Sequence, residues 1–425
     1  MRGWTPSVRY AVIVFGFGCL LPDAARAQDK LDVLVPNLYE RSIALNTRAL
    51  NETFPTPMVD GRLLDFNEEL NNQLFTTVFT LNSLVAAQVA SFPLASSAGG
   101  FSWSFDSGLG TLTRVSDSFG PVFAERALTV GQGRLNVAFA YQRTTFDTLQ
   151  GRELESGDIL TYSGFTLPDR SGALRTMFFE DTLRLRLSTD TALVSGTYGL
   201  TDRMDVGAVV PFVRVRMDAE LLTRAGTNGA LVATPFNDRE SSTASGVGDI
   251  VARVKYRALP TPGGGLAVGF DWRLPTGDDE DLIGTGMQVK FYGAASTETG
   301  RLSPHANFGY TISREASAYT ENEPDQLNFA GGADFAVTPR LTVIGDFVGR
   351  TLIDAAYPIY LPTEFRQDTQ ELTVEWGYVN LFLGSAGVKF APAGRGLVSF
   401  SVLFPLNQNG LQDKFSWMGG VELPF

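Results

Sequence analysis

The feature that most constrains this chain is an alternation of period two that returns in segment after segment. Leu266, Val268, Phe270, Trp272 and Leu274 fall on one face of an extended chain, with Ala267, Gly269, Asp271 and Arg273 on the other. Ile250, Ala252, Val254 and Tyr256 oppose Asp249, Arg253, Lys255 and Arg257 in the same way. Phe415, Trp417, Gly419, Val421, Leu423 and Phe425 oppose Ser416, Met418, Gly420 and Glu422. Successive side chains of a strand point to opposite faces, so each segment predicts a strand with one apolar and one polar side. Such strands are expected near 133–146, 179–200, 203–218, 246–258, 264–275, 285–297, 302–315, 326–337, 340–353, 372–391, 395–406 and 411–425.

A soluble antiparallel sandwich would alternate as well. The links decide between the two. Those at 201–203, 260–264, 298–301, 338–340 and 392–394 are short and rich in turn formers, whereas those at 147–178, 219–245, 276–284 and 354–371 are long and polar. Short turns on one rim and long loops on the other predict an all-β fold: a closed antiparallel transmembrane barrel of about 12 strands (12–14) over residues 133–425. Closure is required because hydrocarbon satisfies no open sheet edge. Outward glycines (Gly331, Gly345, Gly349, Gly384) are expected to permit twist. A bulge at Pro211 is expected because Val213, Val215 and Met217 continue in the opposite phase from Val206, Ala208 and Val210.

Composition agrees. The formal net charge is −12, against a nucleic-acid binder. Mean hydropathy is +0.02, too low for a bundle of apolar helical spans.

Residues 1–27 predict a secretory signal peptide: Arg2 and Arg9, an apolar run at 10–21, then Ala25-Arg26-Ala27. Cys19 is the only cysteine and would leave with it, so thiolate chemistry and disulfides are not expected. The expected location is the outer membrane of a Gram-negative cell. Residues 28–132 lack the period of two. Leu63, Phe66, Leu70, Leu74, Val78, Leu81, Val85 and Val89 recur at helical spacing, predicting one amphipathic helix in an N-terminal helical or plug segment. That helix reads either as a periplasmic or partner-binding element or as a lumen plug. A hairpin around Ser107-Gly108 would raise the strand count to fourteen.

Residues expected to face the lumen include Arg184, Arg186, Arg214, Arg216, Asp249, Arg253, Lys255, Arg257, Asp271, Arg273, Lys290, His305, Asp334, Asp346, Arg350, Lys389 and Glu422. They read as a ladder of paired charges or as a filter biased toward anions such as carboxylates. Asp249 with Arg273, or Asp271 with Arg253, are the expected partners. His305 is the only histidine, and Asn307 stands where a two-residue His/Ser pair would need serine, so His305 is expected to be a hydrogen-bonding residue of the lumen. No nucleophile elbow or metalloprotease helix is present, and no catalytic residue, cofactor or metal is expected. The acidic run Asp278-Asp279-Glu280-Asp281 reads as a solvated loop tip.

Three stretches carry a resemblance: Gly246-Val247-Gly248-Asp249 with Val251-Ala252-Arg253-Val254-Lys255-Tyr256; Trp272-Arg273-Leu274-Pro275-Thr276-Gly277 ahead of Gly284-Thr285-Gly286; and His305-Ala306-Asn307-Phe308-Gly309-Tyr310. They resemble the outer-membrane family named after the meta-pathway of phenol degradation, similar in style to long-chain fatty-acid channels. The resemblance covers roughly 180–425 and implies a transporter taking up hydrophobic or aromatic compounds. Phe425, closing an aromatic strand, resembles the tag read by the barrel-assembly machinery. The expected partners are outer-membrane lipid and lipopolysaccharide, that machinery and a small hydrophobic solute. The alternatives are a fatty-acid-type channel and a non-transporting structural or interaction barrel.

Overall fold

The computed structural model describes residues 30–54, 58–59, 62–89, 96–97, 100, 102–106, 111–114, 116, 118–169, 171–231, 236–314, 324–392 and 396–425. The expected signal peptide and the turn at 107–110 lie outside them. Among the described residues no helix is long and apolar enough to cross a membrane.

Twelve antiparallel strands close on themselves: β1 (Leu135–Phe146), β2 (Leu174–Thr201), β3 (Met204–Thr227), β4 (Val251–Thr261), β5 (Gly264–Arg273), β6 (Met287–Ser296), β7 (Leu302–Arg314), β8 (Gln326–Thr338), β9 (Leu341–Pro362), β10 (Gln370–Phe390), β11 (Leu397–Pro405) and β12 (Ser416–Pro424). β12 pairs β1, and the seam is finished by Phe425 and Leu135, whose backbone N–H groups donate to each other's carbonyls at 2.7 and 3.1 Å. The hairpin Trp103–Asp106/Thr111–Arg114 forms its own two-stranded ladder and adds nothing to the barrel, so the count is twelve rather than fourteen.

The outer face follows the alternation. Val268 is 54% exposed and Phe308 62%, while Ala267 and Asp271 between and beside such residues are buried. Two of the outward glycines sit under aromatic rings: a Cβ at Gly349 would lie 2.3 Å from the Phe329 ring, and one at Gly384 2.5 Å from that of Phe404. Each ring is the cross-strand partner of its glycine, so the side-chain-free position is covered from the neighbouring strand.

Most strands run 9–13 residues, the length a tilted span requires. Four are far longer: β2 has 28 residues, β3 24, β9 22 and β10 21. Their excess rises beyond the long-loop rim as an extension of the wall, broadened by Ile159–Pro168 on β2 and Phe236–Val247 on β3. Much of what reads as loop at 147–178, 219–245 and 354–371 is therefore strand.

Two helices fill the inside of that extension. α1 (Leu34–Thr53) and α2 (Phe66–Val89) pack against each other and against Phe179, Leu183, Leu185, Leu187, Val213, Val215 and Leu221. α1 is additional to the single helix expected, and α2 starts later than Leu63. Both lie at the long-loop end, opposite the periplasmic side expected of a periplasmic helix.

β3 carries no bulge at Pro211. Its pairing with β2 runs unbroken from Asp205↔Gly199 to Thr227↔Met177, and the only shift lies between Met204 and Asp205. Odd-numbered residues face inward throughout. The apparent change of phase is a change in what each face meets: α1 and α2 on the inside, water rather than lipid on the outside.

Candidate functional site

The chain after α2 returns through the barrel. Residues 118–130 are buried without exception and run across the short-turn half of the lumen before joining β1. An irregular segment buried this way must find a partner for every backbone polar group. The wall supplies them. Phe119 N–H donates to Thr342 Oγ1 at 3.2 Å, Val122 and Phe123 N–H to Asp346 Oδ2 at 3.2 and 3.3 Å, Ala127 N–H to Ser296 Oγ at 3.0 Å, and Val130 N–H to Asp205 Oδ2 at 3.2 Å. Lys389 Nζ donates to the carbonyls of Phe119 and Pro121 and pairs with Glu422, which accepts from Gly100 N–H.

Glu125 is the hub of this crossing. Its carboxylate accepts from Ser97 N–H at 2.6 Å, Ser97 Oγ at 2.8 Å, Arg253 Nη1 at 2.8 Å and Lys255 Nζ at 3.3 Å. Its backbone is bracketed by Asn307, whose Oδ1 accepts from Glu125 N–H and whose Nδ2 donates to Glu125 carbonyl, both at 2.6 Å. Arg253 also grips Asp271 with two parallel bonds of 2.7 and 2.9 Å, the strongest geometry available to such a pair. Asp271 and Arg253 stand directly opposite each other in the ladder, as their alternating positions require.

His305 stands between Asp346, with Nε2 2.8 Å from its Oδ1, and Asp334, with Nδ1 3.3 Å from its Oδ1. Asp334 in turn accepts from Ser118 Oγ. The two aspartates thus hold the histidine on one side and the crossing segment on the other.

Above the crossing lies a cavity of about 250 Å³. Phe123 and Glu125 form its floor, Gln88 of α2 and Leu411 its roof, and Arg273, Lys290 and Arg350 project from the wall.

The structure thus gathers Arg253, Lys255, Asp271, Arg273, Lys290, His305, Asp334, Asp346 and Arg350 around the lumen. Other expected lumen residues are placed elsewhere. Arg184, Arg186, Arg214 and Arg216 point outward, on the extension above the apolar band. Arg216 pairs with Asp190, Arg184 with Glu220 and Arg186 with Glu155, while Arg214 stands opposite Asp190 in the ladder. Their inward neighbours are apolar because the helices occupy that side. Asp249 caps a loop: it accepts from Gly277 N–H at 3.0 Å and Thr285 N–H at 2.7 Å, and Thr285 Oγ1 is also the acceptor for Arg273 Nη1. Arg257 braces the 261–264 turn. The acidic run is not only solvated: Lys30 Nζ lies 2.7 Å from Asp278 and 2.8 Å from Asp281, and these bonds hold its ammonium above the usual lysine range. Glu125 went unread in the sequence. Its signal is a lone charged pair, Glu125-Arg126, inside the otherwise uncharged run 119–130.

Residues 164–352 match the profile of the family described as "Putative MetA-pathway of phenol degradation". The resemblance read from the motifs is therefore present, over somewhat less than half of the chain. No curated protein matches the sequence. Among solved structures, an outer-membrane channel from Pseudomonas putida F1 superposes with a TM-score of 0.45 at 12% identity, over 70% of this chain and 98% of that one. The toluene transporter TbuX of Ralstonia pickettii gives 0.36 at 14%, over 69% and 90%. A Pseudomonas aeruginosa FadL homologue gives 0.32 at 11%, over 69% and 89%.

Proposed function

We propose that this outer-membrane barrel takes up small hydrophobic or aromatic compounds through its lumen, and that residues 118–132 are the gate. The observation that carries the reading is the pairing of a crossing with a cavity. A purely structural barrel can be packed solid, whereas here a space remains between α2 and the crossing segment, walled by both aromatic and charged side chains. The segment below it is held chiefly by hydrogen bonds from single backbone groups to wall carboxylates and hydroxyls, which can be exchanged for water one at a time. Release of the stretch 122–127 from Asp346, Asn307 and Ser296, together with exchange of the Glu125 pairs to Arg253 and Lys255, would open the cavity toward the short-turn rim. The family match agrees with uptake. In this reading the barrel-assembly machinery inserts the chain and lipopolysaccharide surrounds its outward band.

The test fastens the gate. Ala127 N–H reaches Ser296 Oγ at 3.0 Å, which sets the two positions side by side, and a gel shift of the oxidised double-cysteine variant verifies that the disulfide forms. In a deletion strain complemented with Ala127→Cys/Ser296→Cys on a Cys19→Ser background, uptake of a labelled monoaromatic compound is expected to fall to the deletion level under oxidation and recover on reduction. Uptake that ignores the disulfide would end the gating claim, and uptake equal in the uncomplemented strain would end the transport claim.

A further inference from the structure

We infer that the lumen cavity is a binding site for a small aromatic carboxylate, and that the barrel's cargo therefore carries an anionic head on its ring. Calling the bound molecule cargo rests on the transport reading; the site itself does not.

Among the described residues, two buried polar groups on residues of the cavity wall make no hydrogen bond. Tyr292 is 6% exposed, and its hydroxyl has no partner. Gln88 is also 6% exposed: its Oε1 accepts from Leu411 N–H at 2.8 Å, while its Nε2 is left without an acceptor. Both residues line the cavity, one from the barrel wall and one from the last turn of α2. Buried polar groups are paired in the great majority of cases, so two orphans on residues that line one cavity leave donors a ligand can satisfy once these side chains, covered at the two atoms themselves, turn toward it. Gln88 Nε2 can only donate, and the Tyr292 hydroxyl can donate.

Charge points the same way. Four lining residues are cationic (Arg253, Arg273, Lys290, Arg350) and two anionic (Glu125, Asp271), and both carboxylates are already bound by Arg253. A ligand that brings a negative charge balances this wall, whereas a cation would add to the excess. The ring is argued from the remaining lining. Phe123 and Tyr292 offer aromatic surface, and the ammonium of Lys290 stands 5.5 Å from the Tyr292 centroid. A volume of about 250 Å³ is below the usual range for drug-sized ligands, so it suits one ring with a short polar group.

The experiment uses the full chain in detergent, with benzoate as probe and benzyl alcohol as its neutral counterpart, followed by titration calorimetry. Benzoate is expected to bind at least tenfold tighter than the alcohol. Tyr292→Phe deletes one donor. Gln88→Glu keeps the acceptor for Leu411 but replaces the donor with a charge that repels the ligand. Each is expected to weaken benzoate about tenfold or more, the range for a lost hydrogen bond to a charged group. Tyr292→Phe is also expected to leave the urea midpoint of the ligand-free protein unchanged or raised, because it removes an unsatisfied hydroxyl; a merely structural hydroxyl would lower it. Equal affinity for the alcohol, undiminished affinity in both variants, or no benzoate binding would each overturn the site without touching uptake. Benzoate binding in a chain whose uptake ignores the disulfide would leave the site standing and remove the transport reading.

Discussion

The two halves of β3 are built on opposite rules. In the half near the short turns, Val206, Ala208, Val210 and Phe212 point out while Asp205 and Gly207 point in. In the other half Arg214, Arg216, Asp218 and Glu220 point out while Val213, Val215, Met217, Ala219 and Leu221 point in, all five nearly fully buried. β2 changes at the same level, from Val194 and Ala192 to Asp190, Ser188 and Arg186 on the outer face. Nothing in the backbone changes at the crossover. The partner of each face changes: lipid outside and a polar lumen inside give way to water outside and the apolar flanks of α1 and α2 inside. A strand's pattern therefore reports its surroundings, and reading "apolar means lipid" along its whole length turns the arginines inward.

The largest way to break this contrast is to place a charge on the inner face of the extension. Leu185 is 1% exposed, within the cluster that holds both helices. Leu185→Asp is expected to cost about 4 kcal/mol or more, from the lost side chain together with a buried unpaired carboxylate. Limited proteolysis should then cut α1 and α2 while the barrel keeps its heat-dependent gel shift; protection of the helices would contradict the packing.

A smaller effect sharpens the outer face. Val268→Arg places a charge in the lipid band and should lower unfolding free energy in urea by about 2–4 kcal/mol. Arg186→Ala, on the same face but above the band, removes an ion pair with Glu155 whose side chains are 62% and 60% exposed. That loss should be no more than about 1 kcal/mol. Similar costs at the two positions would erase the distinction between the halves.

The wall was legible because period two survives any surroundings, and the link lengths place both chain ends of the barrel on one rim. The extension was less so. Its strands carry charges outward and are interrupted by no glycine or proline between Met177 and Val194, yet their apolar face matches helices about 90 or more residues away, which local reading does not reach. α1 had a signal of its own: Leu31, Val35, Leu38, Ile43, Asn46 and Leu50 recur at spacings of three to five and are all buried. The Arg253–Asp271 pair followed from the strand order, whereas the third member, Glu125, comes from outside the sheet and could be placed only by the fold.

The central claim is that β3 keeps one register through Pro211 and that its surroundings, not its phase, change. Single cysteines introduced in turn at residues 213–221, on a Cys19→Ser background, can be reacted with a bulky membrane-impermeant maleimide on intact cells. Labelling at 214, 216, 218 and 220 with protection at 213, 215, 217, 219 and 221 is the predicted result; the reverse pattern, with the arginine positions shielded inside the barrel, would contradict it.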